Sequence, residues 1–217
     1  MLIESPKLSQ HPKKEYLEDI KSALKTVDSK YFRWYLHKVS SDVEFSDEIM
    51  RCNCERVFAY ELYHQIRKIM ESEPIHERYK NVYLNGEAIK DDKFFEDLYE
   101  NLSKISKDYS EENDNKRIPD LVLHKDPGGI EKEGQIYLAE IKMHKNKDAL
   151  KDLFKLTCFM ESKLNFDFYI FVYVGKDVNE FKDELKQIDS SKLSKDIVCI
   201  CTKYQQSTCN TLGELLK

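Results

Sequence analysis

Asp120, Glu140 and Lys142 form the most informative pattern in this chain: two carboxylates that could share one divalent cation, with an ammonium group beside them. Both acids lie in apolar runs of alternating character, at residues 120–124 and 135–143, and such runs predict β-strands. The residues between the runs are rich in turn signals, so we predict that the two strands form an antiparallel hairpin.

The register of that hairpin decides which side chains meet. Paired residues in an antiparallel hairpin have index sums that stay constant, so a symmetric hairpin sets Asp120 directly opposite Glu140. Opposed side chains share a face and lie roughly 5 Å apart at Cβ, where two like charges are destabilising. A cation between the carboxylates would remove that repulsion. Lys142 shares the face of Glu140 by the period of two, while Ala139 and Ile141 face the other way.

Pro119 precedes Asp120 at the start of the first strand, where a missing N–H is tolerated. Together with Glu140-Ile141-Lys142, this arrangement resembles the signature of the PD-(D/E)xK nuclease superfamily. The order of elements over residues 55–201 is also similar to that family's core of helix, three-stranded meander, helix and strand. The resemblance implies an α/β protein of the restriction-endonuclease-like fold: an αβββαβ core with a central mixed sheet flanked by helices.

The resemblance also implies an activity, the metal-dependent hydrolysis of phosphodiester bonds in nucleic acid, with DNA as the expected substrate. Asp120 and Glu140 would bind Mg²⁺ or Mn²⁺, because hard cations prefer carboxylate oxygens and retained waters. The carbonyl of Ile141 would supply a third oxygen, as at the matching position in the family. Lys142 would orient or activate the attacking water and neutralise charge. An ordinary salt bridge to either carboxylate is the alternative explanation for Lys142.

Further candidate residues lie on the predicted flanking helices. Glu61 borders an apolar stripe, and a helix-borne glutamate ahead of the sheet contributes a metal contact in many members of the superfamily. A solvated place at the helix flank is the alternative for Glu61. A row of lysines could receive backbone phosphates, or could form a solvated helix face because aspartates are interleaved with it. These lysines are Lys145, Lys147, Lys151 and Lys155.

Periodicity elsewhere predicts the elements that must hold these residues. Helices are predicted at residues 12–38 (one or two helices), 48–71, 94–105, 148–163 and 178–188. Strands are predicted at residues 82–84, 120–124, 135–143, 166–174 and 197–201, with a turn at Asn85-Gly86 and a loop at residues 107–116. We therefore expect an N-terminal helical extension over residues 1–45 and a nuclease-like α/β domain over residues 46–217, in one globular unit.

Composition limits the functional classes. A chain of 217 residues can bury one sizeable core. We expect a cytoplasmic protein without membrane association, because no apolar run approaches the roughly 20 residues of a membrane span and no signal-peptide segment begins the chain. The net charge of −5 gives no global attraction to nucleic acid, which a metal-dependent enzyme can tolerate. The Cys-x-Cys spacings depart from those of iron–sulfur nucleases in the superfamily and favour buried free thiols over a cluster.

Two other classes of function remain open. A catalytically silent adaptor of the nuclease fold would bind nucleic acid or a protein partner in repair or defence. Retention of Asp120, Glu140 and Lys142 favours the enzyme, and the weak overall basicity favours the adaptor. An unrelated α/β protein would follow from a hairpin register shifted by one residue, which would move Glu140 and Lys142 to the opposite face. A homodimer is also compatible with the sequence.

Overall fold

The strands in the described part of this chain form one six-stranded mixed sheet in which the spatial order of the strands equals their order in the chain. The computed structural model describes residues 8–32, 47–86, 119–125, 134–143, 149–161, 165–187, 190–203 and 206–217. Within these residues the strands are β1 (Tyr83–Gly86), β2 (Leu121–His124), β3 (Gln135–Met143), β4 (Phe168–Val174), β5 (Val198–Lys203) and β6 (Gln206–Thr211).

Helices flank this sheet. They are α1 (Lys14–Thr26), α2 (Asp47–Met70), α3 (Ala149–Glu161), α4 (Val178–Leu185) and α5 (Leu212–Leu215), with short 3₁₀ helices at Leu8–Gln10, Ser29–Phe32 and Ile75–Tyr79. The helices predicted at residues 48–71, 148–163 and 178–188 are confirmed as α2, α3 and α4, with ends that differ by a few residues. The helical segment predicted at residues 12–38 contains α1 and the 3₁₀ helix Ser29–Phe32, and residues 33–38 lie outside the described residues. No helix within the described ranges is long and apolar enough to cross a membrane.

The sheet combines an antiparallel meander with a parallel half. Strands β1, β2 and β3 pair antiparallel in succession, β4 pairs parallel with β3, and β5 pairs parallel with β4. Strand β6 then pairs antiparallel with β5. The described elements therefore follow the order α2, three-stranded meander, α3, β4, and the predicted α/β class with a mixed sheet between helices is confirmed.

Two apolar clusters, one on each face of the sheet, form the core. Strand β4 is buried along its whole length, as the continuous apolar run predicted, because both faces of the sheet are covered. The first cluster joins the sheet to α1 and α2 and includes Tyr16, Leu17, Ile20, Phe58, Leu62 and Ile66. The second joins the opposite face to α3, α4 and α5 and includes Val122, Leu138, Leu153, Leu156, Phe159 and Phe181.

The register of the β2–β3 hairpin agrees with the prediction from Leu121 to Leu123 and shifts by one residue at His124, which pairs with Gln135. Leu121 lies opposite Ala139 and Val122 lies opposite Leu138. Continued by one residue, this register sets Asp120, which directly precedes β2, opposite Glu140. The alternation of faces is also confirmed, because Ala139 and Ile141 belong to the cluster with α1 and α2, whereas Leu138 belongs to the cluster with α3.

One prediction about the sheet edges was wrong, and one edge strand was not predicted. Asn85 and Gly86 do not form a turn: they continue β1 and pair with Val122 and Leu121. The sequence also gave no sign of β6, because Gln206–Thr211 contains almost no apolar residue and forms a half-exposed edge strand. The predicted helix at residues 94–105 and the predicted loop at residues 107–116 lie outside the described residues.

Candidate functional site

Asp120 directly precedes β2, and its carboxylate contacts the backbone of the next strand, β3. One of its carboxylate oxygens, Oδ2, accepts a hydrogen bond from the backbone N–H of Ile141 at 2.6 Å. The side chain of Asp120 is half-buried and lies on the face of the sheet that α3 covers, as the alternation along β2 requires. The acid is therefore fixed beside β3, one strand away from its own backbone.

Glu140 lies in the middle of β3 and is only 4% exposed. Its Oε1 atom is 2.6 Å from the Nζ atom of Lys155, on the helix that packs against this face. Lys155 is itself 8% exposed and stands among the buried residues of α3. A buried carboxylate needs such a partner, because removing an unpaired charge from water is very costly.

Lys142 lies one alternation further along β3 and is held between two acids. Its Nζ atom is 3.2 Å from Oε1 of Glu55 on α2 and 3.2 Å from Oδ2 of Asp152 on α3. The backbone N–H of Met143 donates a hydrogen bond to Oε2 of Glu55 at 3.1 Å. Glu55 therefore connects the first half of α2 to the end of β3.

Acids outnumber bases in this acid–lysine cluster, which we define as Asp120, Glu140, Glu55, Asp152, Lys142 and Lys155. Burial raises the pKa of Asp120 to about 7, against the lowering effects of Lys155 and of the Ile141 N–H. Burial also raises the pKa values of Glu140 and Glu55. These acids hold their protons more tightly than in water, because burial disfavours the charged carboxylate more than the nearby lysines and N–H groups favour it.

The raised pKa of Lys142 has the complementary cause. Burial by itself lowers the pKa of this lysine, but the carboxylates of Asp152 and Glu55 outweigh burial and raise it. Lys142 is therefore an ammonium ion at neutral pH, fixed in place by two ion pairs.

The chemistry of the acid–lysine cluster suits a divalent cation that keeps several waters. Among the described residues no three His, Cys, Asp or Glu side chains come together closely enough to hold a metal ion. Mg²⁺, however, is usually bound through one or two carboxylates together with water and substrate oxygens. Asp120 and Glu140 provide two carboxylates whose charged forms are disfavoured mainly by burial, and a bound cation would favour those charged forms.

The other predicted site residues are found in varied places. Glu61 is half-buried on α2, where its Oε1 atom accepts a hydrogen bond from Nε2 of Gln65 at 2.6 Å. Lys151 is exposed on α3, whereas Lys155 is buried against Glu140 and so does not continue a solvent-facing row of lysines. Lys155 is among the buried residues of α3, as is its neighbour Leu156. Lys145 and Lys147 lie outside the described residues.

Sequence reasoning missed Glu55 and Asp152. Glu55 lies on the same helix as Glu61, six residues nearer its beginning, but a helical wheel gives no information about which turn faces the end of a strand. Asp152 was visible only as an acid interleaved with lysines. Both residues could have been found from one signal, the need of a half-buried Lys142 for acidic partners.

The described cysteines are free thiols. Cys158, Cys199 and Cys201 are buried and Cys209 is half-buried. Burial raises the pKa values of Cys199 and Cys209, the latter to about 11, so these groups are protonated and act as small apolar side chains. The side chains of Cys52 and Cys54 lie outside the described part of the chain.

Comparisons of this chain with models of protein families, with curated proteins and with solved structures found no match. Function must therefore be inferred from the acid–lysine cluster and from the elements that build it.

Proposed function

We propose that this protein is a metal-dependent nuclease of the PD-(D/E)xK type that hydrolyses phosphodiester bonds in nucleic acid, with DNA as the first substrate to test. The observation that carries the proposal is the meeting of Asp120 and Glu140 from neighbouring strands, with Lys142 on the same face. Asp120, Glu140 and the carbonyl of Ile141 are the proposed ligands of Mg²⁺ or Mn²⁺.

The order of the elements supports the same assignment. The chain places Asp120 at the start of the second strand of an antiparallel meander and Glu140 and Lys142 in the third strand, with a helix and a parallel strand after them. We assign this αβββαβ order to the restriction-endonuclease-like fold. In that assignment β5, β6 and α5 extend the core at one edge of the sheet, and α1 belongs to an extension that packs against α2.

The chemistry divides between the cation and the side chains. A bound Mg²⁺ or Mn²⁺ ion would supply a nucleophile from water and stabilise charge on the phosphoryl oxygens. Asp120 and Glu140 would fix the position of that ion between two strands. Lys142 would donate hydrogen bonds to the attacking water or to a phosphate oxygen and stabilise negative charge there.

The state of Lys142 decides between its two possible roles. Glu55 and Asp152 raise its pKa, so it carries a proton at neutral pH and has no free electron pair with which to accept one. We therefore assign Lys142 as an electrostatic and orienting group. The two acids that hold it act as positioning residues, because they fix the ammonium group at the end of β3.

A second candidate function has its own supporting observation. The ion pair between Lys155 and Glu140 already neutralises one of the two acids without any cation. A catalytically silent adaptor that kept the fold would need such an internal partner. In that role the protein would bind nucleic acid or a protein through surfaces other than the acid–lysine cluster.

A cleavage assay separates the two functions. The wild type and Asp120→Asn are purified in parallel and incubated with circular single-stranded DNA, linear duplex DNA and RNA, each with Mn²⁺ and with EDTA. The nuclease is expected to cut at least one substrate in Mn²⁺, to be inactive in EDTA, and to lose cleavage in D120N. Asp183→Asn, the same chemical change at an exposed residue of α4, is the matched control and should cleave like the wild type. If no substrate is cut in an EDTA-sensitive manner, the adaptor is favoured.

A further inference from the structure

Lys155 is an unusual residue for its position. It lies on α3 between Phe154 and Leu156, in a helix face that packs against the sheet, and it is 8% exposed. Lysine is among the residues least often buried, and a buried ammonium group is tolerated only when it is paired. Two apolar residues in place of Lys155 and Glu140 would often fill such a place at no greater cost than the buried ion pair. The presence of a buried lysine at this position is therefore best explained by the group that it contacts.

The contact is to one acid of the proposed cation site. The Nζ atom of Lys155 is 2.6 Å from Oε1 of Glu140. Its charge also acts on the second acid, since Lys155 is the strongest influence opposing the rise in the pKa of Asp120, as it is for Glu140. One ammonium group from a helix therefore serves both carboxylates that a divalent cation would otherwise neutralise.

We propose that Lys155 is an internal counter-ion that competes with the divalent cation for Glu140. Without a cation, the Lys155 ammonium group occupies an oxygen of Glu140 and keeps the two acids folded next to each other. A cation held by Asp120 and Glu140 would compete with the Lys155 ammonium group for the negative charge of the Glu140 carboxylate. Lys155 is thus a positioning residue for the cation site, and it weakens cation binding while it stabilises the cation-free protein. This inference rests on the proposed function, because it needs a cation at Asp120 and Glu140.

Physical reasoning gives the sign and the size of the competition. A divalent ion that binds next to Lys155 must weaken the buried ion pair between Lys155 and Glu140, and it must also approach another positive charge. Both effects oppose binding and both disappear when the ammonium group is removed. We therefore expect that loss of the Lys155 charge tightens cation binding by about tenfold or more, as the usual net contribution of a charged hydrogen bond implies.

The test uses the full chain and Mn²⁺ alone as the probe. Mn²⁺ is titrated by calorimetry into the wild type, Lys155→Met and Lys186→Met at about pH 8, above the ordinary range of carboxyl pKa values. Lys186 forms an exposed ion pair with Asp183 and is the matched control for the same substitution. The expected result is a dissociation constant about tenfold or more lower for K155M, and an unchanged one for K186M. Thermal unfolding in EDTA should occur at a lower temperature for K155M, with the deficit removed by saturating Mn²⁺.

The outcomes are distinguishable from a failure of the proposed function. If the wild type binds no Mn²⁺, the cation site itself is wrong. If the wild type binds Mn²⁺ but K155M binds it equally or more weakly, the competition is wrong and the proposed function stands. A purely structural Lys155 would lower the unfolding temperature without tightening Mn²⁺ binding, and that result also overturns the inference. Should K155M fail to fold, Lys155→Gln keeps a hydrogen-bond donor without the charge and is expected to shift Mn²⁺ affinity in the same direction.

Discussion

Each charged residue of the acid–lysine cluster has a partner, yet the cluster as a whole keeps an excess of acids. Lys142 pairs with Glu55 and Asp152, and Lys155 pairs with Glu140. Asp120 receives a backbone N–H in place of an ammonium group. Burial of several acids close together destabilises the folded protein. A divalent cation bound to these acids would offset that cost, and this is the physical basis of our proposal.

The role of Lys142 can be separated from the binding of the cation. Lys142→Met should reduce the rate of phosphodiester cleavage by about 10² to 10⁴, the range typical of a single group that assists proton transfer or stabilises charge. Binding of Mn²⁺ should persist, because the proposed ligands remain. Single-turnover cleavage and Mn²⁺ calorimetry on the same preparation check both expectations.

The matched control for that variant is Lys176→Met. Lys176 is also 12% exposed at its side chain and pairs with a carboxylate, Glu184, at 2.7 Å on another part of the molecule. It is expected to cleave at the wild-type rate. Equal losses in K142M and K176M would show that a buried ion pair, and no special role of Lys142, accounts for the effect.

The pKa of Asp120 predicts how stability without a cation depends on pH. An aspartate has a pKa of about 4 when unfolded, and burial raises the pKa of Asp120 to about 7 in the folded protein. Between these values the folded state binds more protons than the unfolded state, so the free energy of unfolding falls as pH rises. This group contributes a fall of at most about 1.4 kcal/mol per pH unit, and the raised pKa of Glu140 acts in the same direction.

Urea denaturation in EDTA between about pH 4 and about pH 7 measures this effect. The wild type should lose stability across the window, and Asp120→Asn should lose less because it has no proton to release. Saturating Mn²⁺ should flatten the curve of the wild type. A wild type that loses no more stability than D120N across this window would contradict the raised pKa of Asp120.

At the scale of elements, the sequence predicted the strands and helices that have a periodic apolar pattern. It did not predict features that depend on how these elements pack together. The register at Leu121 to Leu123 followed from placing the centre of the hairpin in the turn-rich segment between β2 and β3, whereas the shift at His124 has no signal in the sequence. Strand β6 was missed because it has almost no apolar residue. As an edge strand it is held by backbone hydrogen bonds to its one neighbour, β5. The inward direction of Lys155 was missed because a charged residue on an apolar helix face contradicts the usual pattern.

Helix α4 offers a test of local stability that leaves the site untouched. Asp177 caps this helix: its Oδ1 atom accepts hydrogen bonds from the N–H groups of Asn179 and Glu180, and the Glu180 side chain accepts one from the Asp177 N–H. Asp177→Ala should lower the free energy of unfolding by about 0.5 to 2 kcal/mol, the usual contribution of such a cap. Chemical denaturation measures the loss.

The comparison variant for the cap lies on the same helix. Asp183→Ala removes an exposed acid that makes no cap, and its effect should stay within about 0.5 kcal/mol. Both variants should bind Mn²⁺ like the wild type. A D177A variant as stable as D183A would show that the capping box does not stabilise α4.

At the scale of the whole molecule, two apolar clusters hold the sheet between helices and leave the acid–lysine cluster at the meeting point of α2, β3 and α3. This architecture fixes charged side chains from α2, β3 and α3 within contact distance, and Asp120 joins them from the position directly before β2. The sequence predicted the sheet and two of its acids, because both are local patterns. It could not predict Glu55 and Asp152 as partners of Lys142, because that contact joins segments far apart in the chain.

The net charge of −5 places a further condition on the function. A protein that binds nucleic acid through phosphate neutralisation alone needs a basic surface, and this chain has more acids than bases. Its contact with a phosphate would therefore depend on positive charge concentrated at one place. A divalent cation held by Asp120 and Glu140, beside Lys142, would provide that charge.

The presence of this cation is the central claim, and calorimetric titration of Mn²⁺ tests it most directly. The wild type should give saturable heats of binding, Asp120→Asn should lose them, and the control Asp183→Asn should retain them. Equal heats for the wild type and D120N would contradict the account, because the cation would then bind elsewhere or not at all.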